Sequence, residues 1–322
     1  MLKELQLVEY HPDTAAAYRD VIKGLLKPVK ELPPKLFYDE RGSQLFDQIT
    51  QQPEYYPTRI EQKIMDQHID AIAARIGPDS LLVEYGSGSS QKTRTLLDHL
   101  PRLAGYVPID ISRDHLMQSA ARLALAYPYL DILPVWADYE TDFALPRPNR
   151  PVRHKVIYYP GSTLGNFHPE DAVAFLWHMR AVCGYDCDLL LGVDLKKDTT
   201  LLNLAYNDCA GVTADFNLNM LAHLNRELGA DFNLDQFKHH AFYNEAAGRI
   251  EMHLVSLTRQ IVRLIGHTIP FETGETIWTE SSYKYTPTEL ATLAGRAGFA
   301  VEKVWTDPNR LFSVQYLTSK NV

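Results

Sequence analysis

Between residues 81 and 194, short apolar runs alternate with stretches of helical period. LLVEY (81–85) stops at Gly86-Ser87-Gly88-Ser89-Ser90 and gives way to QKTRTLLDHL, which reads as strand, glycine turn and helix. GYVPID (105–110) predicts a second strand. Ser112 is placed to cap a helix that carries Leu116, Ala120, Leu123 and Ala124 at helical spacing. DILPVWAD (131–138) and KVIYYPG (155–161) predict strands three and four, a helix follows Pro169, and CDLLLGVD (187–194) predicts strand five. This rhythm predicts an α/β fold, a parallel sheet covered by helices on both faces.

After Asp194 the rhythm breaks. TADFNLNMLAHLNRELG is helical in pattern, whereas RIEMHLVSLTRQIVRL and TIWTESSYKYT alternate like strands. A helix with Pro287 at its first position then leads to VEKVWTD and LFSVQYLTS, two strands close enough to form a hairpin at the sheet edge. The first sixty residues precede the sheet, and Thr58 with Glu61 fits a capping box that would open a helix. The expected division is therefore a sheet domain of residues 61–195 plus 287–322, and an inserted α+β lobe of residues 1–60 plus 196–286 that serves the ligand end of the sheet.

Composition narrows the partners. Of 322 residues, 45% are hydrophobic and 22% charged, as in an ordinary folded protein, and the net charge of −8 argues against a nucleic-acid backbone as ligand. The opening residues lack a signal-peptide core, and no apolar run approaches the roughly 20 residues of a membrane span, so the expectation is a cytoplasmic protein acting on a small molecule. Cys183, Cys187 and Cys209 have no paired spacing and read as reduced thiols; no metal site is expected.

The glycine turn carries the first chemistry. In Glu84-Tyr85-Gly86-Ser87-Gly88 the glycines let backbone approach a ligand closely, and the segment resembles the ExGxG motif of Rossmann-like methyltransferases. A dinucleotide site needs a third glycine where Gln91 stands, which favours a nucleoside without phosphates. Asp110, ending strand two, can accept from both ribose hydroxyls, and Asp138, ending strand three, can accept from an adenine amino group. Either aspartate alone has the lesser, bland reading of a helix or turn cap, which fits the two together in that order far less well. Lys92 is placed to meet a ligand carboxylate or to be a solvated lysine in a first helical turn.

PPKLFYDERGSQLFDQITQQPEYYPTR, EYGSGSSQKTR, PGSTLGNF and TESSYKYT together resemble the histidine Nα-methyltransferases of ergothioneine biosynthesis, across almost the whole chain. The resemblance implies a class I, Rossmann-like methyltransferase sheet and S-adenosylmethionine as cofactor, leaving as S-adenosylhomocysteine. It also implies trimethylation of the α-amino group of L-histidine to hercynine, by a monomer. The cofactor contacts it implies are Tyr38, Glu84, Gly86, Ser87, Gly88, Lys92, Asp110, Asp138, Tyr139, Gly161 and Thr163. Asn166 and Tyr206 would hold the histidine carboxylate, and Glu280, Ser282 and a phenol of Tyr55-Tyr56 would read the imidazole. Tyr55 is favoured over Tyr56 by its spacing from Phe46. Gly161 and Asn166 would position the amine, while Tyr38, Phe46 and Met252 would shape the transfer cavity, Tyr38 or solvent assisting proton loss. Taken singly, Tyr55, Phe46 and Met252 read as core, Asn166 as a turn cap and Glu280 as a solvent-facing strand residue. His115, His168, His239, His240 and His253 read as surface or internally satisfied histidines rather than ligands. Tyr85 and Ser281 depart from the family pattern. The rival readings are a methyltransferase making the betaine of another aromatic amino acid, against which Glu280 speaks, and a non-catalytic cofactor-binding protein.

Overall fold

A computed structural model of the chain describes residues 5–11, 14–88 and 91–319. In chain order its strands are β1 (Val8–Glu9), β2 (Lys30–Glu31), β3 (Ser80–Tyr85), β4 (Gly105–Asp110), β5 (Val135–Trp136), β6 (His154–Tyr159) and β7 (Asp188–Asp194). These are followed by β8 (Phe237–Asn244), β9 (Arg249–Ser256), β10 (Gln260–Leu264), β11 (His267–Phe271), β12 (Thr276–Tyr283), β13 (Phe299–Thr306) and β14 (Phe312–Ser319). The chain divides into two units, residues 1–12, 57–196 and 284–322 in the first, and 13–56 with 197–283 in the second. None of the described helices is long and apolar enough to cross a membrane.

The first unit is built on an eight-stranded sheet in the order β1-β5-β4-β3-β6-β7-β14-β13. β3 and β4 are buried along their whole length, as strands covered by helices on both faces must be. The pairs are parallel until β14, which runs antiparallel to β7 and to β13, so the predicted terminal hairpin does close the edge. Strand order reverses between β3 and β6, and an open α/β sheet binds its ligands at the carboxyl ends beside such a reversal. The helix Tyr56–Ile76 lays Ile64, Met65, Ile69, Ile72 and Ile76 into one core with Leu82, Tyr106, Val156 and Tyr316.

Several expectations change here. The helix opens at Tyr56, with Pro57 in its first turn, so Thr58 lies inside it and the Thr58–Glu61 capping box does not form. Ser112 stands at a helix N-cap, yet its side chain makes no capping bond; its backbone N–H goes to Asp110 instead. Of DILPVWAD only Val135–Trp136 pairs as a strand, because Pro134 interrupts the ladder before it. The segment around Val8–Glu9 belongs with the sheet rather than with the inserted lobe, since it pairs parallel to β5 at its edge.

The second unit holds a four-stranded sheet in the order β2-β12-β9-β8 and the small hairpin β10-β11. Asp39 caps the helix Glu40–Ile49 through the Gly42 N–H at 2.7 Å. It also accepts from Asn219 and Arg226 of the helix Val212–Leu228, both within 2.8 Å, and these bonds hold its carboxyl below its ordinary range although burial opposes them. Gly42 is required in that helix, because a Cβ there would strike the Phe37 carbonyl.

Candidate active site

Of the expected cofactor residues, Tyr38 lies in the second unit, and the first unit carries the others at or just after the ends of β3, β4, β5 and β6. Gly86 and Gly88 have φ of +71° and +49°, and among the described residues no atom beyond its chain neighbours lies within 4 Å of where a Cβ on Gly88 would stand. The amides of Gly86 and Ser87 both donate to Ile109 at the end of β4. Ser89 and Ser90 lie outside the described residues. Asp110 is 9% exposed and accepts from Gly88 N at 3.0 Å and Ser112 N at 2.9 Å. A carboxylate has about four acceptor positions, so two such bonds leave it capacity for ribose hydroxyls. Burial raises its pKa, while these two amides pull the other way.

Glu84 plays a different part. Its side chain is enclosed and accepts from the hydroxyls of Thr93 at 2.6 Å and Tyr106 at 2.5 Å, so it braces the glycine turn from inside. Burial pushes its carboxyl up to about 7, against those two bonds. Tyr85, the departure from the motif, is buried among Tyr139, Phe143, Tyr159 and Phe175, with ring centroids 6.0 to 6.4 Å away. It is therefore part of an aromatic core. Asp138 accepts from Glu140 N at 3.1 Å, a local turn bond that fits its reading as a turn cap.

After β6 the chain turns through Gly161, with φ +80°, and Ser162, with φ +62°, into the 3-10 turn Thr163–Asn166. The Thr163 hydroxyl donates to Pro160 O, and half-buried Asn166 ends the turn. Sequence reasoning missed Glu61, which accepts from Gly161 N and pairs with Lys92. A capping box was the wrong frame for it: an acid in the second turn of a helix gives no local signal of where its side chain goes.

In the second unit an aromatic group forms from distant segments. Tyr38 lies edge-on to Phe46 and Phe216, each at 6.0 Å, and Tyr55 lies edge-on to Phe46 at 6.4 Å and Tyr206 at 6.3 Å. Phe216 had no sequence signal beyond helical spacing. Tyr55 shares this group with Phe46 and Tyr206, whereas the Tyr56 hydroxyl accepts from Lys197 at 2.6 Å. Tyr206 donates to Ser282 Oγ at 2.9 Å.

Strand register decides which side chains share a face. In the β9–β12 pair Met252 is opposite Glu280 and Ile250 opposite Ser282, so Met252, Glu280 and Ser282 point the same way. Ser281 is opposite Glu251 on the other face. A bulge lies between Trp278 and Glu280, and its extra residue lets Trp278 pair with His253 while Glu280 pairs with Met252. Half-buried Glu280 thus faces Met252, and Trp278 stacks on His253 at 5.9 Å. His253 and His239 are held internally, His253 by Glu251 and His239 by Asn217 and the Tyr206 carbonyl. The three cysteines are free, and the described residues contain no cluster of metal-ligating side chains.

A doubly wound sheet with a glycine turn at its reversal point and an aspartate ending the next strand is the arrangement with which open α/β folds bind nucleosides. Residues 17–319 match the histidine-specific, S-adenosylmethionine-dependent methyltransferases. The chain is 42% identical over 313 residues to a histidine N-alpha-methyltransferase of Mycolicibacterium smegmatis, spanning 94% of this chain and 96% of that protein. It is 43% identical over 298 residues to a histidine N-alpha-methyltransferase of Mycobacterium tuberculosis, covering 91% of each. It also matches ergothioneine biosynthesis protein 1 of Neurospora crassa, at 32% identity over 288 residues that make up 87% of this chain and 32% of that protein. The chain belongs to the family of histidine-specific, S-adenosylmethionine-dependent methyltransferases.

Proposed function

We propose that this protein transfers three methyl groups to the α-amino nitrogen of L-histidine, yielding hercynine, the first step of ergothioneine biosynthesis, and that it does so as a cytoplasmic monomer. The observation that carries the substrate reading is the face shared by Glu280, Ser282 and Met252, with the Tyr206 hydroxyl bonded to Ser282. A carboxylate accepts an imidazole N–H, and a hydroxyl both donates and accepts, so this pair matches the two ring nitrogens of histidine. An amino acid without that N–H would bring Glu280 no donor and lose this contact.

When bound, S-adenosylmethionine supplies an electrophilic methyl group on its sulfonium. Asp110 holds the ribose, Lys92 the cofactor carboxylate, and Gly86, Ser87 and Gly88 give the close backbone approach. Transfer to nitrogen needs an in-line approach of a free amine, and that is a matter of positioning rather than covalent catalysis. Asn166 donates to the substrate carboxylate, the Tyr206 hydroxyl does so by turning its one proton from Ser282, and Gly161 offers a carbonyl to the amine. Tyr38 assists loss of the amine proton. Each transfer leaves a more alkylated ammonium, which aromatic faces stabilise by about 0.5 to 2 kcal/mol, and Tyr38, Phe46 and Tyr55 supply such faces.

Mass spectrometry of the purified protein with S-adenosylmethionine and an equimolar mixture of the twenty amino acids tests the reading. Histidine gaining three methyl groups is the expected product. Methylation of tryptophan or tyrosine instead would overturn the role of Glu280 and leave the cofactor reading intact.

A further inference from the structure

Glu61 is 1% exposed, on the helix that covers one face of the large sheet. Both of its carboxylate oxygens accept from Gly161 N, at 3.0 and 3.1 Å, and one of them pairs with the Lys92 ammonium. The fold keeps room for it: Gly192 lies in the middle of β7, and a Cβ there would run into the Glu61 carboxylate. Burying an ion pair rarely stabilises a protein more than apolar side chains of the same volume would, so a carboxylate enclosed in this way calls for a use other than stability.

Its partners indicate that use. Gly161 and Lys92 adjoin, a Cβ on Gly161 standing 3.5 Å from the Lys92 nitrogen. The Gly161 amide is held by Glu61 and the Ser162 amide by the Gly192 carbonyl at 3.1 Å. In a trans peptide the C=O points opposite to the next N–H, so the Gly161 carbonyl is aimed away from β7. Glu61 also takes one of the three Lys92 donors and so constrains where the other two point. We propose that Glu61 is a positioning residue for the amino-acid end of the cofactor, presetting the Lys92 ammonium for its carboxylate and fixing the turn that carries Gly161.

The inference rests on the reading of Lys92 and Gly161 as cofactor contacts, and calorimetry with two nucleosides tests it. S-adenosylhomocysteine carries the amino-acid end; 5′-methylthioadenosine has the same adenosine and sulfur without it. Glu61→Gln keeps an acceptor for Gly161 and removes the charge. It should weaken S-adenosylhomocysteine about tenfold, the worth of a charge-assisted hydrogen bond, and leave methylthioadenosine within about twofold. Gly192→Ala, which expels the carboxylate without altering it, should reproduce that selective loss. In a Lys92→Met background Glu61→Gln should add nothing further. Equal losses for both nucleosides, as a purely structural Glu61 would give, overturn the proposal, and so does an unchanged affinity for S-adenosylhomocysteine. Lys92→Met alone separates the two layers: if it leaves S-adenosylhomocysteine binding as in the unaltered protein, the cofactor role of Lys92 fails, whatever Glu61 does.

Discussion

The two units present ligand groups in opposite ways. The first uses backbone and short acids at successive strand ends: Gly86 and Gly88 after β3, Asp110 ending β4, and Gly161 after β6. The second uses large side chains from segments far apart in sequence, with Tyr38, Phe46, Tyr55, Tyr206 and Phe216 meeting ring to ring. The difference fits what each unit is proposed to bind, the cofactor in the first and histidine in the second. A cofactor shared by many enzymes is met by geometry that a parallel sheet provides wherever its order reverses. One amino acid among twenty must be distinguished by side-chain chemistry, which the sheet alone does not supply.

Substitutions break this division to different degrees. Asp110→Ala has the largest expected effect, because it removes the acceptor proposed for two ribose hydroxyls and releases the Gly88 and Ser112 amides. S-adenosylhomocysteine affinity should fall by about 3 kcal/mol or more, roughly 100-fold. Calorimetric binding equal to that of the unaltered protein would remove Asp110 from the site.

Glu84 tests whether the inside of the glycine turn has a cost. Its carboxyl is raised from 4.5 to about 7, so the folded state holds a proton that the unfolded state releases between those values. Its contribution is favourable below about pH 4.5 and is lost as pH rises to about 7, on the order of 3 kcal/mol in all. Glu84→Gln should flatten that decline in urea unfolding followed against pH. A decline of unchanged slope would place its origin elsewhere.

Glu280→Ala is the counterpart in the second unit. Losing a hydrogen bond to a charged group costs about 1.5 to 3 kcal/mol, so the KM for histidine should rise roughly 10- to 100-fold with S-adenosylhomocysteine affinity unchanged. Parallel losses of both ligands would dissolve the division of labour. Thr58→Ala has the smallest expected effect. A true N-cap would cost about 1 kcal/mol, whereas Thr58 lies inside its helix, so stability should stay within about 0.5 kcal/mol in thermal unfolding.

The alternation of apolar runs with helical stretches was enough to place β3, β4, β6, β7 and the closing hairpin, because each signal is contained within about ten consecutive residues. The same holds for the glycine turn and Asp110: a motif at a strand end is local, and its chemistry is readable before the chain is folded. The substrate side was legible only as a resemblance to a family, since nothing in the spacing of Tyr55, Tyr206 and Ser282 says that they meet. Tertiary structure alone decided that Glu61 turns inward to Lys92 and Gly161, that Tyr85 is core, and that residues 8–9 join the sheet. It also decided the face of Glu280, through a single extra residue in β12 opposite β9. Register and bulges depend on the partner strand, and the partners of a buried carboxylate such as Glu61 stand 31 and 100 residues away. Local pattern carries no information about either.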